Sequence, residues 1–108
     1  MKTLDSNELI EAAIKEDEMV LVYFGSGTCG VCVDLKPKVN ILLERYPKIK
    51  SVYVDMEKSH KIGISYNFFT MPGILLFVDG KETLREARHI SVDELDMKIS
   101  RYYDMIFG

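Results

Sequence analysis

Tryptophan is absent from this chain, and among its 108 residues there are only two cysteines and three prolines. Three prolines and seven glycines are too few for a disordered chain. No apolar run is long. The two longest, Met19 to Phe24 and Ile74 to Val78, fall far below the roughly 20 residues needed to cross a bilayer, so no membrane segment is expected. Positive charge is not in excess either: 14 Lys+Arg stand against 17 Asp+Glu, a net charge of -3. Without a basic field to hold phosphate backbones, nucleic acid is not an expected partner. The start, Met1-Lys2-Thr3-Leu4-Asp5, leads into a charged amphipathic stretch with no uninterrupted apolar signal region, which reads as a cytoplasmic protein. Repeats, low-complexity tracts and Pro/Ser-rich linkers are missing as well, so residues 1–108 read as a single domain.

What is present is a composition of 47% hydrophobic and 29% charged residues, spread from end to end. A chain of this size buries roughly two-thirds of its unfolded surface and can fold without staples. The first helix begins with Asp5 as N-cap, Glu8 closing a capping box, and Leu4 stapled to Leu9; its apolar face is Leu9, Ile10, Ala13 and Ile14. Met19 to Phe24 reads as a strand buried on both faces. A helix from Cys29 to about Tyr46 contains Pro37, where a kink is expected. A second strand, Ile49 to Asp55, precedes a helix through Met56 to Tyr66, and a third strand follows at Gly73 to Val78. Asp79-Gly80 is a two-residue hairpin signal, so Lys81 to Arg88 returns antiparallel. The last helix opens with Ser91 and Glu94 as a capping box and carries a stripe of Leu95, Ile99, Tyr102 and Ile106. The order αβαβαββα predicts an α/β fold: a mixed central sheet of about four strands flanked by about four helices. Strands separated by helices are expected to pair in parallel.

Cys29-Gly30-Val31-Cys32 lies where a buried strand ends and a helix begins. Unsatisfied N–H groups and the positive dipole end at a helix N-terminus stabilise an anion, so a thiolate at the first position is favoured there. A spacing of three puts Cys32 on the same face one turn on, within reach of a mixed disulfide formed on Cys29. Cys29 then reads as exposed and nucleophilic, Cys32 as buried and resolving. Two other readings are weaker. A disulfide across two intervening residues closes too short a loop to be an effective staple. A zinc site needs two more ligands, and His60 and His89 are far apart in the chain.

Over nearly its whole length the chain resembles a thioredoxin-family protein. The resemblance rests on the apolar strand before the motif, Cys29-Gly30-x-Cys32, Pro37 in the following helix, Val52-Tyr53-Val54-Asp55, and Tyr66-Asn67-Phe68-x-x-Met71-Pro72. Ile74-Leu75-Leu76-Phe77, the Asp79-Gly80 turn and the amphipathic last helix complete it. It implies the thioredoxin fold, a cis Met71–Pro72 bond packed opposite the motif, and a substrate surface made by Thr28, Gly30, Val31, Thr70, Met71 and Pro72. The family pattern is broken at several points. The usual Trp before the first cysteine is Thr28, the usual Pro between the cysteines is Val31, and another usual aromatic is Gly25. The buried acid that exchanges a proton with the resolving cysteine is replaced by Tyr23, and its Lys companion by Ser51. A phenol is a poor base near neutrality, so Tyr23 reads as core packing. Arg88 and His89 stand where the family is normally small or lie beside such a position. Arg88 is either a solvated residue at a strand end or, with His89 when protonated, a source of positive charge that favours the Cys29 thiolate.

The expected function is thiol–disulfide exchange: Cys29 attacks a disulfide in a protein substrate, Cys32 resolves the mixed disulfide, and a thioredoxin reductase-like partner recycles the oxidised form. No bound cofactor or metal is expected, and the protein is expected to be a monomer. Val31 in place of Pro suggests, by family analogy, a less reducing potential. The alternative is a binding or adaptor module whose dithiol is regulatory or vestigial.

Overall fold

A computed structural model describes the whole chain, Met1–Gly108. Its elements are β1 (Lys2–Thr3), α1 (Asn7–Glu16), β2 (Met19–Gly25), α2 (Gly30–Leu43), β3 (Lys50–Asp55), α3 (His60–Ser65), β4 (Gly73–Val78), β5 (Lys81–Ala87) and α4 (Val92–Phe107). The sheet order is β1-β3-β2-β4-β5. The first three of these pair in parallel, while β4 is antiparallel to β2 and β5 is antiparallel to β4. The sheet therefore has five strands, one more than expected.

Strand β2 is central and buried along all seven residues. Successive side chains on a strand point to opposite faces, and that parity divides the core in two. Val20, Val22 and Phe24 join Ile10, Ile14 and Ile62 from α1 and α3. Met19, Leu21 and Tyr23 join Leu35 and Val39 from α2 and Leu95 and Ile99 from α4. Helix α2 continues through Pro37. In α4 the expected stripe is fully buried at Leu95 and Ile99 and half-buried at Tyr102 and Ile106, and Ser91 Oγ accepts the Glu94 N–H at 3.2 Å. The hairpin turn at Asp79 and Gly80 has φ of 51° and 79°, the left-handed pair that a two-residue connection requires.

Four expectations are corrected. Strand β1 lacks any apolar signal because both its residues are exposed; its backbone alone pairs with β3. That pairing continues through the Leu4 N–H to the Tyr53 carbonyl at 3.0 Å, so the N-cap of α1 is Ser6 and not Asp5. The expected apolar face is buried at Ile10, Ala13 and Ile14, but Leu9 is half exposed. Helix α3 is shorter than Met56 to Tyr66 because Asp55 Oδ1 accepts the N–H groups of Glu57 and Lys58 at 3.0 and 3.4 Å, which holds that segment in a turn. Six helical residues rise only ~9 Å, against ~20 Å for a six-residue strand. Helix α3 is therefore too short to return the chain along the sheet. Strand β4 starts at the end where β2 finishes, Gly73 opposite Phe24, and runs antiparallel to it.

With Ser6 Oγ accepting the Leu9 N–H at 3.2 Å, Ser6→Ala is expected to cost about 1 kcal/mol in urea unfolding, and Asp5→Ala no more than a few tenths. The reverse ranking would contradict the assignment of the cap.

Candidate functional site

Strand β2 delivers the chain to the sheet edge at Gly25, and Ser26, Gly27 and Thr28 turn it into α2. Cys29 is the N-cap of α2, with extended backbone, and its Sγ accepts the Cys32 N–H at 3.2 Å. The sulfur holds the place a Ser or Asp oxygen takes at other helix starts, facing unsatisfied N–H groups and the positive dipole end. Cys29 is half-buried and Cys32 only 2% exposed. The two are joined as a disulfide, with Cα atoms 5.2 Å apart.

Opposite the cysteines lies the Met71–Pro72 bond, which is cis. Cys29, Val31, Met71, Pro72, Arg88 and His89 line a cleft of about 250 Å³, so the start of α2, the Pro72 loop and the segment after β5 meet at Cys29. The Pro72 carbonyl accepts the Arg88 N–H at 2.9 Å. Arg88 has φ of 64°, a left-handed conformation that costs a residue with a side chain roughly 1–2 kcal/mol. Of the other sequence-derived candidates, Gly30 is exposed and Thr70 half-buried, and neither lines this cleft. Thr28 lies apart from the cleft as well, where its hydroxyl donates to Glu57 Oε1 and stands 3.3 Å from the Ser26 hydroxyl.

Glu57 was not singled out from the sequence, where it reads as part of a solvated helix start. The hydrogen bonds from Thr28 and then Ser26 hold its carboxyl below the usual range. Parallel pairing of β2 with β3, Gly25 opposite Asp55, is the signal that places it: two strands ending at one edge bring residues 26–28 beside residues 56–57.

Beneath Cys32 the space is filled by Tyr23. Its ring is fully buried and stacks on Tyr53, centroids 5.9 Å apart, and its hydroxyl donates to the Cys32 carbonyl at 2.8 Å. Burial, with a smaller contribution from Tyr53, pushes the phenol up to about 12. Tyr23 therefore stays protonated near neutral pH and acts there as a donor, not as a base. A Cβ at Gly25 would stand 3.0 Å from Tyr23 Cε1 and 3.2 Å from Cys32 Cβ. The missing side chain at residue 25 is what lets the Tyr23 ring lie against the cysteine.

The thioredoxin family model matches residues 1–101. The thioredoxin-like protein YdfQ of Bacillus subtilis (strain 168) is 33% identical over 108 residues, spanning 100% of this chain and 96% of that protein. Thioredoxin Asp f 28 of Aspergillus fumigatus is 30% identical over 93 residues, 86% of each chain. The X-ray structure of Fasciola hepatica thioredoxin matches at a TM-score of 0.84 and 26% identity, covering 94% of this chain and 98% of that one.

Gly25→Ala is expected to destabilise the protein by about 1–3 kcal/mol through overpacking. The cost should fall in a Tyr23→Leu background, because residues in contact do not act additively. Chemical denaturation of the four-member cycle checks this, and strict additivity would contradict the packing described.

Proposed function

This chain belongs to the thioredoxin family, whose paired cysteines support thiol–disulfide oxidoreductase activity in general, and on that premise we propose that it reduces disulfides in protein substrates. The observation that carries this reading is Cys29 at the head of α2, its sulfur accepting the Cys32 N–H, on a cleft shared with Met71 and Pro72.

In the reduced protein the helix N-terminus favours the Cys29 thiolate. That thiolate attacks one sulfur of the substrate disulfide; a mixed disulfide forms and the other substrate sulfur leaves as a thiolate. Cys32 then gives up its proton to the departing thiolate or to water and attacks Cys29 Sγ. The products are the Cys29–Cys32 disulfide and a substrate dithiol, two electrons having passed from protein to substrate. The buried acid common in the family is absent from this step, since Tyr23 is protonated and bonded to a carbonyl. The extended substrate segment would lie against Val31, Met71 and Pro72, the residues that share the cleft with Cys29. In this reading the protein works as a monomer in the cytoplasm without a bound cofactor, and a thioredoxin reductase-like enzyme returns it to the dithiol.

In an insulin-reduction assay with dithiothreitol, the wild type is expected to accelerate precipitation and Cys29→Ser to match the uncatalysed rate. Equal activity of the two proteins would refute the role of Cys29; an inert wild type would favour a binding module over an oxidoreductase. Arg88, on the Cys29 cleft with His89, adds charge that favours the thiolate, as His89 would when protonated. Removing a cation disfavours the anion, so Arg88→Ala should move the 240 nm thiolate titration to higher pH. The shift should shrink in high salt, where exposed charges are screened.

A further inference from the structure

The cleft at Cys29 does not end at His89. A second cleft of about 440 Å³ shares Val31, Arg88 and His89 with it and continues between α2, at Asp34, Leu35 and Lys38, and the entry to α4, at Ile90, Ser91 and Val92. The two form one groove running from the Pro72 loop past the sulfur. Its ionisable groups are Arg88, Lys38 and His89 against the single acid Asp34, on a chain whose net charge is -3. The chain's ion pairs use Arg45, Lys50, Arg85 and Lys98, so the cations of the groove are left without a carboxylate of their own. Away from this groove, next to Cys29 in sequence, Thr28 holds the Glu57 carboxylate. That carboxylate lies outside the groove, whose lining has two fixed cations, Arg88 and Lys38, to one acid, Asp34.

Arg88 shows that this is more than a solvated strand end. At φ of 64° its position suits glycine, and its backbone N–H makes the bond to Pro72 that any residue there could make. Its side chain is exposed and takes part in none of the ion pairs. A strained conformation kept by a residue whose side chain makes no hydrogen bond or ion pair inside the chain points to a role toward a partner. We propose that the groove is a carboxylate-recognising subsite, and that the substrates are disulfides in extended polypeptide segments carrying Asp or Glu on the side that meets Arg88 and Lys38. Exposed Val31, at the middle of the groove, gives the segment an apolar contact between its reactive cysteine and its acidic residues. This inference rests on the oxidoreductase reading and adds to it a preference among substrates.

The test uses the reduced full-length protein and three synthetic peptides, each closed by one disulfide and flanked by Glu, Gln or Lys. Single-turnover rates are read by acid quench and alkylation. The wild type is expected to reduce the Glu peptide about tenfold faster than the Lys peptide at low ionic strength, with the ratio collapsing near 0.5 M salt. In Arg88→Gly and in Lys38→Gln the ratio should fall to roughly threefold. A change in the Cys29 thiolate population moves all three peptides together, so the ratio isolates recognition. Arg88→Gly should also raise Tm, by about 4 °C, as the left-handed strain is relieved. Equal rates for the Glu and Lys peptides, or a ratio unchanged in Arg88→Gly, would overturn the subsite. A fall in Tm would do the same, by showing that Arg88 is kept for the fold. Failure of the wild type to reduce any of the three peptides, the neutral Gln one included, would instead overturn the oxidoreductase reading.

Discussion

The site depends on one constraint: strand β2 has no face toward water. Paired on both edges and covered above and below, Met19–Gly25 must place every side chain in one of two apolar layers. Parity sends Tyr23 into the layer of α2, directly beneath the second cysteine. An ionised carboxylate there would need a compensating cation, and leaving one without its partner is costly. This chain carries neither. A phenol reaches the same depth with a single polar group to satisfy, and the Cys32 carbonyl satisfies it at 2.8 Å. Glycine at residue 25 completes the exchange, since any side chain there would press on both Tyr23 and Cys32. Tyr23, Gly25 and Cys32 are thus a single packing solution, and in the proposed exchange the Cys32 proton leaves without a buried base.

Above that floor the site is built from helix and loop termini. The sulfur of Cys29 caps α2, the backbone of residue 88 fastens the end of β5 to the Pro72 carbonyl, and the residue 26–28 turn is tied through Thr28 to Glu57. The first tie is local, and the other two join segments far apart in sequence at the end of the sheet where β2 and β3 finish and β4 begins. Because that end of the sheet collects element termini and not strand faces, its side chains are free to vary without disturbing the core. Thr28, Val31 and Arg88 all belong to it.

Much of this was legible in the sequence. The continuous apolar run of β2, the Asp79-Gly80 turn, the Ser91 cap and the Cys29–Cys32 spacing are local signals, and each has its expected counterpart in the structure. What escaped was set by long-range backbone geometry. Strand β1 is two exposed residues held only by main-chain pairing, and that pairing moved the α1 cap from Asp5 to Ser6. The direction of β4 followed from the shortness of α3, which in turn followed from the Asp55 side chain capturing two backbone N–H groups. The contact of Glu57 with Thr28 spans 29 residues and has no periodic or motif signal; only the register of β2 on β3 brings it into view.

The division of labour proposed for the two cysteines is tested most directly by trapping the intermediate. Reduced Cys32→Ser protein, incubated with a disulfide-bearing peptide and then alkylated, should accumulate a covalent adduct through Cys29, located by peptide mass mapping without reduction. The corresponding Cys29→Ser protein should accumulate none. An adduct carried by Cys32 in the Cys29→Ser protein, or no adduct in the Cys32→Ser protein, would contradict the account.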